Sequence, residues 1–243
     1  MDQEDRLAYR MLGRFTEAAD AVREARRKID KTGEQGWLST VVARVSLTML
    51  RTRAQRGFEM PDPVVSRGPN DEVGLGVLTA LDALTPDERV AYVLQDMFDE
   101  GLEQVAPLIG RTPLGALQVE ARARQRVEAR PVSDVDLEGQ REVVDGFLAG
   151  DDVLDPEVTL RSEDLWLRGE AMVAPKAALL RAPCMVPAVV GGEAGLMSVV
   201  DDKPVALVSF TVRERKVAAI HAITDREHVR RIVPDRVGFA VSS

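Results

Sequence analysis

The 243-residue chain is poor in cysteine, histidine, aromatics and long apolar runs. The single cysteine, Cys184, excludes a disulfide framework within one chain. With only His221 and His228 there is no Cys/His cluster at zinc spacing, so no metal or cofactor is expected. The start, MDQEDRLAYRMLGRF, is charged and lacks the apolar core of about 7–15 residues that marks a secretory signal. No apolar run approaches the ~18 residues of a membrane-spanning helix, so the expectation is a soluble cytoplasmic protein without a membrane partner. A net charge of −8 argues against coating nucleic acid or anionic lipid by bulk charge.

Hydrophobic residues still make up 45 % of the chain, enough for buried cores. The charge is unevenly distributed. Residues 1–56 carry +4, and everything after them sums to −12.

Leu7, Met11, Phe15, Ala18 and Val22 recur at helical spacing and predict a continuous helix up to KTGEQG, where Gly33 and Gly36 stop it. A second helix, Trp37 to Arg56, buries Leu38, Val41, Val42, Val45 and Met49 and carries Arg44, Arg51, Arg53 and Arg56. Residues 57–79 are rich in proline and glycine and read as a linker. Short helices follow. Thr85-Pro86-Asp87-Glu88 has the form of a capping box, and Thr112-Pro113 is a second helix start. The second start opens the later helix of a helix-turn-helix built around Gly110. Ala116, Val119, Ala123 and Val127 are expected to face inwards, with Leu117, Gln118, Ala121, Arg122 and Gln125 facing outwards. Gln118 suits adenine, while Arg122 and Arg124 suit guanine or phosphate. Beyond Pro131, one amphipathic helix precedes six short strand-type runs, the last four spaced as an antiparallel meander. The fold class is therefore multidomain: an all-α N-terminal half and an α+β C-terminal half.

LTPDERVAYVLQDMF and EQVAPLIGRTPLGALQVEARAR resemble region 4 of the extracytoplasmic-function RNA polymerase sigma factors. AYRMLG, EAADAVREA and GWLSTVVARVSLTMLRTRAQR resemble region 2 of that family. Met60-Pro61-Asp62-Pro63-Val64 is similar to the W-L-P-E-P-V signature of the subgroup that carries a C-terminal SnoaL-like (NTF2-like) domain. GFLAG, DPEVTL, GGEAGL and ITDREHVRRI resemble motifs of that domain.

The resemblance implies a region 2-like domain over 1–56, a linker over 57–79, a region 4-like domain over 80–128 and a cone-shaped SnoaL-like domain over 129–243. It implies RNA polymerase core and promoter DNA as partners, with Arg44, Arg51, Arg111, Gln118, Arg122 and Arg124 at the DNA and the C-terminal domain modulating. A second reading takes the C-terminal domain as a polyketide-type cyclase or binder of an apolar small molecule. His221 and Asp164 would then serve as acid and base, with Trp166, Cys184 and Phe210 lining the pocket. For Trp166 and Cys184 the simpler expectation is burial in the core.

Several positions depart from the family pattern. In the stretch that grips polymerase, Ala19 stands for an acid, Arg23 for glutamine and Arg26 for an aromatic. On the recognition helix Leu117 replaces arginine, Ala121 replaces serine, and Glu120 places negative charge where phosphate would approach. The glycine-rich D-G-G-G-K loop is absent: Arg161-Ser162-Glu163-Asp164 runs straight into Leu165-Trp166.

Overall fold

The computed structural model describes residues 2–32, 38–53, 60–66, 75–130, 133–181, 184–201 and 203–233. Gly33, Gly36, Trp37 and Arg56, all used in the sequence reading, lie outside them. The chain divides into two compact units. One is Met1–Asp62 with Leu78–Ala129, the other Pro63–Val77 with Arg130–Ser243.

The first unit is helical. In place of one continuous opening helix there are two, α1 (Gln3–Leu12) and α2 (Phe15–Thr32). Helix α1 ends at Gly13, whose φ is 73°. The break is fixed from far along the chain. Asp62 is buried, its Oδ2 accepts the Phe15 N–H at 2.9 Å, and its own N–H donates to the Gly13 carbonyl at 2.8 Å. A carboxylate on a free N–H of a helix's first turn is a cap. The Met-Pro-Asp-Pro motif thus starts α2, and the Tyr9 ring stacks on Phe15 at 5.0 Å beside it.

Helix α3 (Leu38–Arg53) packs against both, through Val41, Val42, Val45, Leu47 and Leu50. Helix α4 (Leu75–Asp82), which belongs to this unit from Leu78 on, and helix α5 (Pro86–Tyr92) follow, and α5 starts at the expected capping box of Thr85 and Glu88. The chain then widens into a π-helical turn, Val93–Met97. Helices α6 (Leu102–Ile109) and α7 (Pro113–Glu128) complete the unit.

A chain of ion pairs runs through this unit. Arg89 is wholly buried on α5 and donates to Asp82 at the end of α4. Arg53, at the end of α3, donates to Asp82 at 2.9 Å, to Glu17 of α2 at 3.0 Å and to the Leu12 carbonyl at 2.9 Å. Three helices therefore meet at one carboxylate, that of Asp82, and Arg53 ties in a fourth through Glu17.

The second unit is a seven-stranded sheet of order β1-β4-β5-β6-β7-β2-β3, formed by β1 (Val65–Ser66), β2 (Leu154–Arg161), β3 (Trp166–Arg168), β4 (Met185–Val190), β5 (Glu193–Val200), β6 (Lys203–Arg213) and β7 (Lys216–Ile223). Strands β4 to β7 are the expected antiparallel meander, and β2 joins β7 in parallel. Strand β1 comes from the stretch read as linker and pairs with β4 through Val65–Val190 and Ser66–Val189. The Gly191 N–H adds a bond to the Val64 carbonyl at 2.7 Å.

Helices α8 (Leu137–Ala149) and α9 (Glu170–Ala177) belong to this unit, and α10 (Arg226–Ile232) follows β7. Phe147 of α8 meets Phe210 of β6 with ring centroids 5.4 Å apart, in a core that includes Val144, Val158, Val173, Leu196, Val208 and Ile220. The β4–β5 hairpin turns at Gly191 and Gly192, with φ of 60° and 77°. A two-residue turn that matches strand twist needs positive φ at both positions, which accounts for the glycine pair. Three residues on, a Cβ at Gly195 would lie 2.3 Å from the Val208 carbonyl oxygen. Gly195→Ala should therefore push β5 from β6 and cost about 1–3 kcal/mol. Chemical denaturation checks this; an unchanged midpoint would refute it.

Candidate functional site

The helix-turn-helix forms where the sequence places it. Helix α6 ends at Gly110, with φ of 68°. Left-handed backbone is costly for a residue with a Cβ, so glycine takes the turn. Thr112 then caps α7 through the Gly115 N–H at 3.2 Å, and Pro113 fills the first helical position. Ala116, Val119, Ala123 and Val127 are buried as expected, and Leu117, Gln118, Ala121, Arg122 and Gln125 are exposed. Arg111 is exposed in the turn.

Two residues of α7 depart from expectation. Glu120 does not face solvent: it is buried on the inner face. Arg124 bends back to it, Nε to Glu120 Oε1 at 2.7 Å, and also reaches Asp96 of the π-helical turn through Nη2 at 2.6 Å. Burial first, and then its proximity to Glu120, push the Asp96 carboxyl up to about 6. Arg124, expected at DNA, is therefore held by two carboxylates of its own unit.

On α3, Arg44 is exposed. Arg51 is tied to Asp87 at 2.8 Å, and Arg53 points into the Asp82 network. On α2, in the stretch expected to grip polymerase, Asp20 is paired along the helix with Arg23 and Glu24 with Arg27. A groove of about 520 Å³ runs between α2 and α3, lined by these four residues with Lys28, Val45, Thr48 and Met49.

In the second unit, His221 and Asp164 do not form an acid/base pair. Asp164 is exposed in the turn between β2 and β3. His221 is buried on β7 opposite Ser209, and its Nδ1 has no hydrogen-bond partner. Burial, then the charges of Arg161 and Arg130, hold its pKa down to about 4. Trp166 is 57 % exposed on the edge strand β3, so it is neither core nor pocket wall. Cys184 is exposed, with Sγ 3.4 Å from Ser198 Oγ, rather than buried. Phe210 is packed inside the core.

Sequence reasoning missed Glu193. It is the first residue of β5, in GGEAGL, and is buried. Its Oε1 accepts from Thr211 Oγ1 at 3.1 Å and Ser133 Oγ at 3.3 Å, and the backbone N–H of Gly76 also donates to the carboxylate. A Cβ on Gly76 would lie 3.1 Å from Thr211 Oγ1, 3.6 Å from His221 Cε1 and 3.8 Å from Glu193 Oε1, so these groups crowd one small volume. Desolvation outweighs the hydrogen bonds and pushes the Glu193 carboxyl up to about 7. In the sequence it shows only as a lone charge within the otherwise uncharged run GGEAGL.

No family model matches the chain. It is similar to the ECF RNA polymerase sigma factor SigJ of Mycobacterium tuberculosis, 31 % identical over 191 residues, covering 68 % of this chain and 61 % of that protein. The match thus spans a little under two thirds of SigJ. It is also similar to the probable ECF RNA polymerase sigma factor SigI of the same species, 28 % identical over 257 aligned positions, covering 89 % of this chain and 88 % of that one. The crystal structure of M. tuberculosis SigJ superposes with a TM-score of 0.73 at 28 % identity, covering 93 % of this chain and 94 % of that chain.

Proposed function

Because this chain belongs to the extracytoplasmic-function sigma factors that carry a SnoaL-like domain after region 4, we propose that it acts in transcription initiation, as a binding protein with no chemistry of its own. Helices α1 to α3 are the surface offered to RNA polymerase core. Helix α7 is the element offered to promoter DNA, and the SnoaL-like domain modulates their use. The observation that carries this reading is the helix-turn-helix, whose turn, cap and inner face are all kept while the outer face of α7 is left open. Capture of polymerase core by the full chain, with salt-sensitive retention of duplex DNA, tests it. Failure of both would overturn it.

DNA affinity is expected to be low for its class, because cations of the binding face are occupied. Arg51 is paired with Asp87, and Arg124 with Asp96 and Glu120. Replacing Asp96 and Glu120 together by Asn and Gln should free Arg124 for phosphate. Binding then tightens at low salt, and the slope of log K against log salt steepens by about 0.9. An unchanged slope would place Arg124 outside the DNA contact.

A further inference from the structure

We infer that α7 is a reader of A·T base pairs, with an apolar face for thymine methyl groups around a single adenine-reading amide. The inference rests on the reading of α7 as the promoter-binding helix and adds what that helix selects.

In a helix-turn-helix the first turns of the second helix meet the base edges. In the first two turns of α7 the exposed side chains are Pro113, Leu114, 67 % exposed, Leu117, 45 % exposed, and Gln118. Ala121 continues the same face one turn further on. There is no lysine or arginine from Pro113 to Glu120. Guanine offers two acceptors in the major groove and is read by a forked or cationic donor. The cations of α7 begin only in its third turn, where Arg124 is held by Asp96 and Glu120, and beyond it Arg126 is paired with Glu88. Thymine alone offers a methyl group, which apolar side chains contact, and adenine offers the donor–acceptor pair that a glutamine amide matches. The exposed leucines thus have a partner of matching chemistry in the groove. Arg111 before the helix and Arg122 in its third turn are exposed cations on either side, suited to the flanking phosphates. That flanking charge, with the retained turn and cap, favours duplex DNA over an apolar protein surface as the occupant.

The test is selection from duplexes randomised over the upstream element, with the full chain alone and with RNA polymerase core. Retained duplexes should be enriched in A·T at consecutive positions, by roughly tenfold over G·C at each. Leu117→Arg should convert one position to guanine. Gln118→Ala should erase the preference for adenine at one position by a similar factor. All these side chains are exposed, so the variants are expected to fold. Salt-sensitive binding with G·C enrichment, or with no enrichment, overturns the inference and leaves the sigma reading standing. Absence of any salt-sensitive duplex binding overturns the DNA reading itself. Leu114→Glu with Leu117→Glu leaving the selected sequence unchanged would assign the face to a protein and also overturn the inference.

Discussion

Asp82→Ala is expected to lower the stability of the helical unit by about 3–5 kcal/mol, the cost of removing one partner from a buried ion pair. The reason lies in what remains. Arg89 is wholly buried, with its Nε and Nη2 already lacking partners, and burial depresses its pKa despite the attraction of Asp82. Arg53 approaches the same carboxylate. Without Asp82, two guanidinium groups face each other with Glu17, among the described residues, as the one carboxylate bonded to either. At roughly 4 °C per kcal/mol, the transition of this unit should fall by more than 10 °C in a thermal scan followed by circular dichroism. Adding Arg89→Met to Asp82→Ala should restore most of the loss, because the uncompensated charge goes with it. If the two substitutions proved simply additive, the network would hold no coupling energy and the account would be wrong.

The second large effect is a pH dependence of opposite sign in two variants. Glu193 rises from an ordinary 4.5 to about 7, so the folded chain keeps a proton that the unfolded chain gives up. Its contribution is fully present below 4.5 and is lost as pH rises to about 7. His221 falls from an ordinary 6.5 to about 4, so the folded chain excludes a proton that the unfolded chain takes. Its contribution is fully present above 6.5 and is lost as pH falls to about 4. At ~1.36 kcal/mol per unit each amounts to roughly 3 kcal/mol. Between 4.5 and 6.5 the two slopes cancel in the parent chain.

Glu193→Gln keeps an acceptor for Thr211, Ser133 and Gly76 and removes the titration. Relative to the parent, it should gain stability as pH climbs from 4.5, by roughly 3 kcal/mol at pH 7. His221→Gln should gain in the other direction, as pH falls from 6.5 towards 4. Urea denaturation at a series of pH values gives both differences directly, since every other group cancels in the subtraction. Parallel curves for parent and variants would show that neither group changes its proton affinity on folding.

Local rules reached far in this chain. Thr85 with Glu88 and Thr112 with Pro113 act through side chains within four residues of the backbone they cap, so both helix starts were legible. The inner face of α7 was legible for the same reason. Glu120 could have been placed too: it is four residues after Ala116 and three before Ala123, on the apolar stripe, and its charge hid what its position said. The break at Gly13 was only half legible: the glycine permits the left-handed cap that ends α1, but Asp62, which holds the start of α2, lies 47 residues beyond Phe15. Strand β1 carries no local signal: two residues become a strand only because the edge of β4 offers them partners. The candidate acid/base pair failed similarly, since residue types can name a His and an Asp, but only the sheet decides that His221 sits inside and Asp164 outside.

That two-residue strand bears on how such a chimera is inherited. The SnoaL-like unit is interrupted in sequence, with residues 63–77 supplied before the helical segment 78–129 and the rest after it. A recombination event joining at residue 130 would deliver a sheet whose β4 edge lacks Val65 and Ser66 and whose Glu193 lacks the Gly76 N–H. Bare edges invite pairing with other chains. Exchange of this module among sigma factors is therefore constrained to carry the short upstream piece with it, and the two pieces are expected to diverge in step.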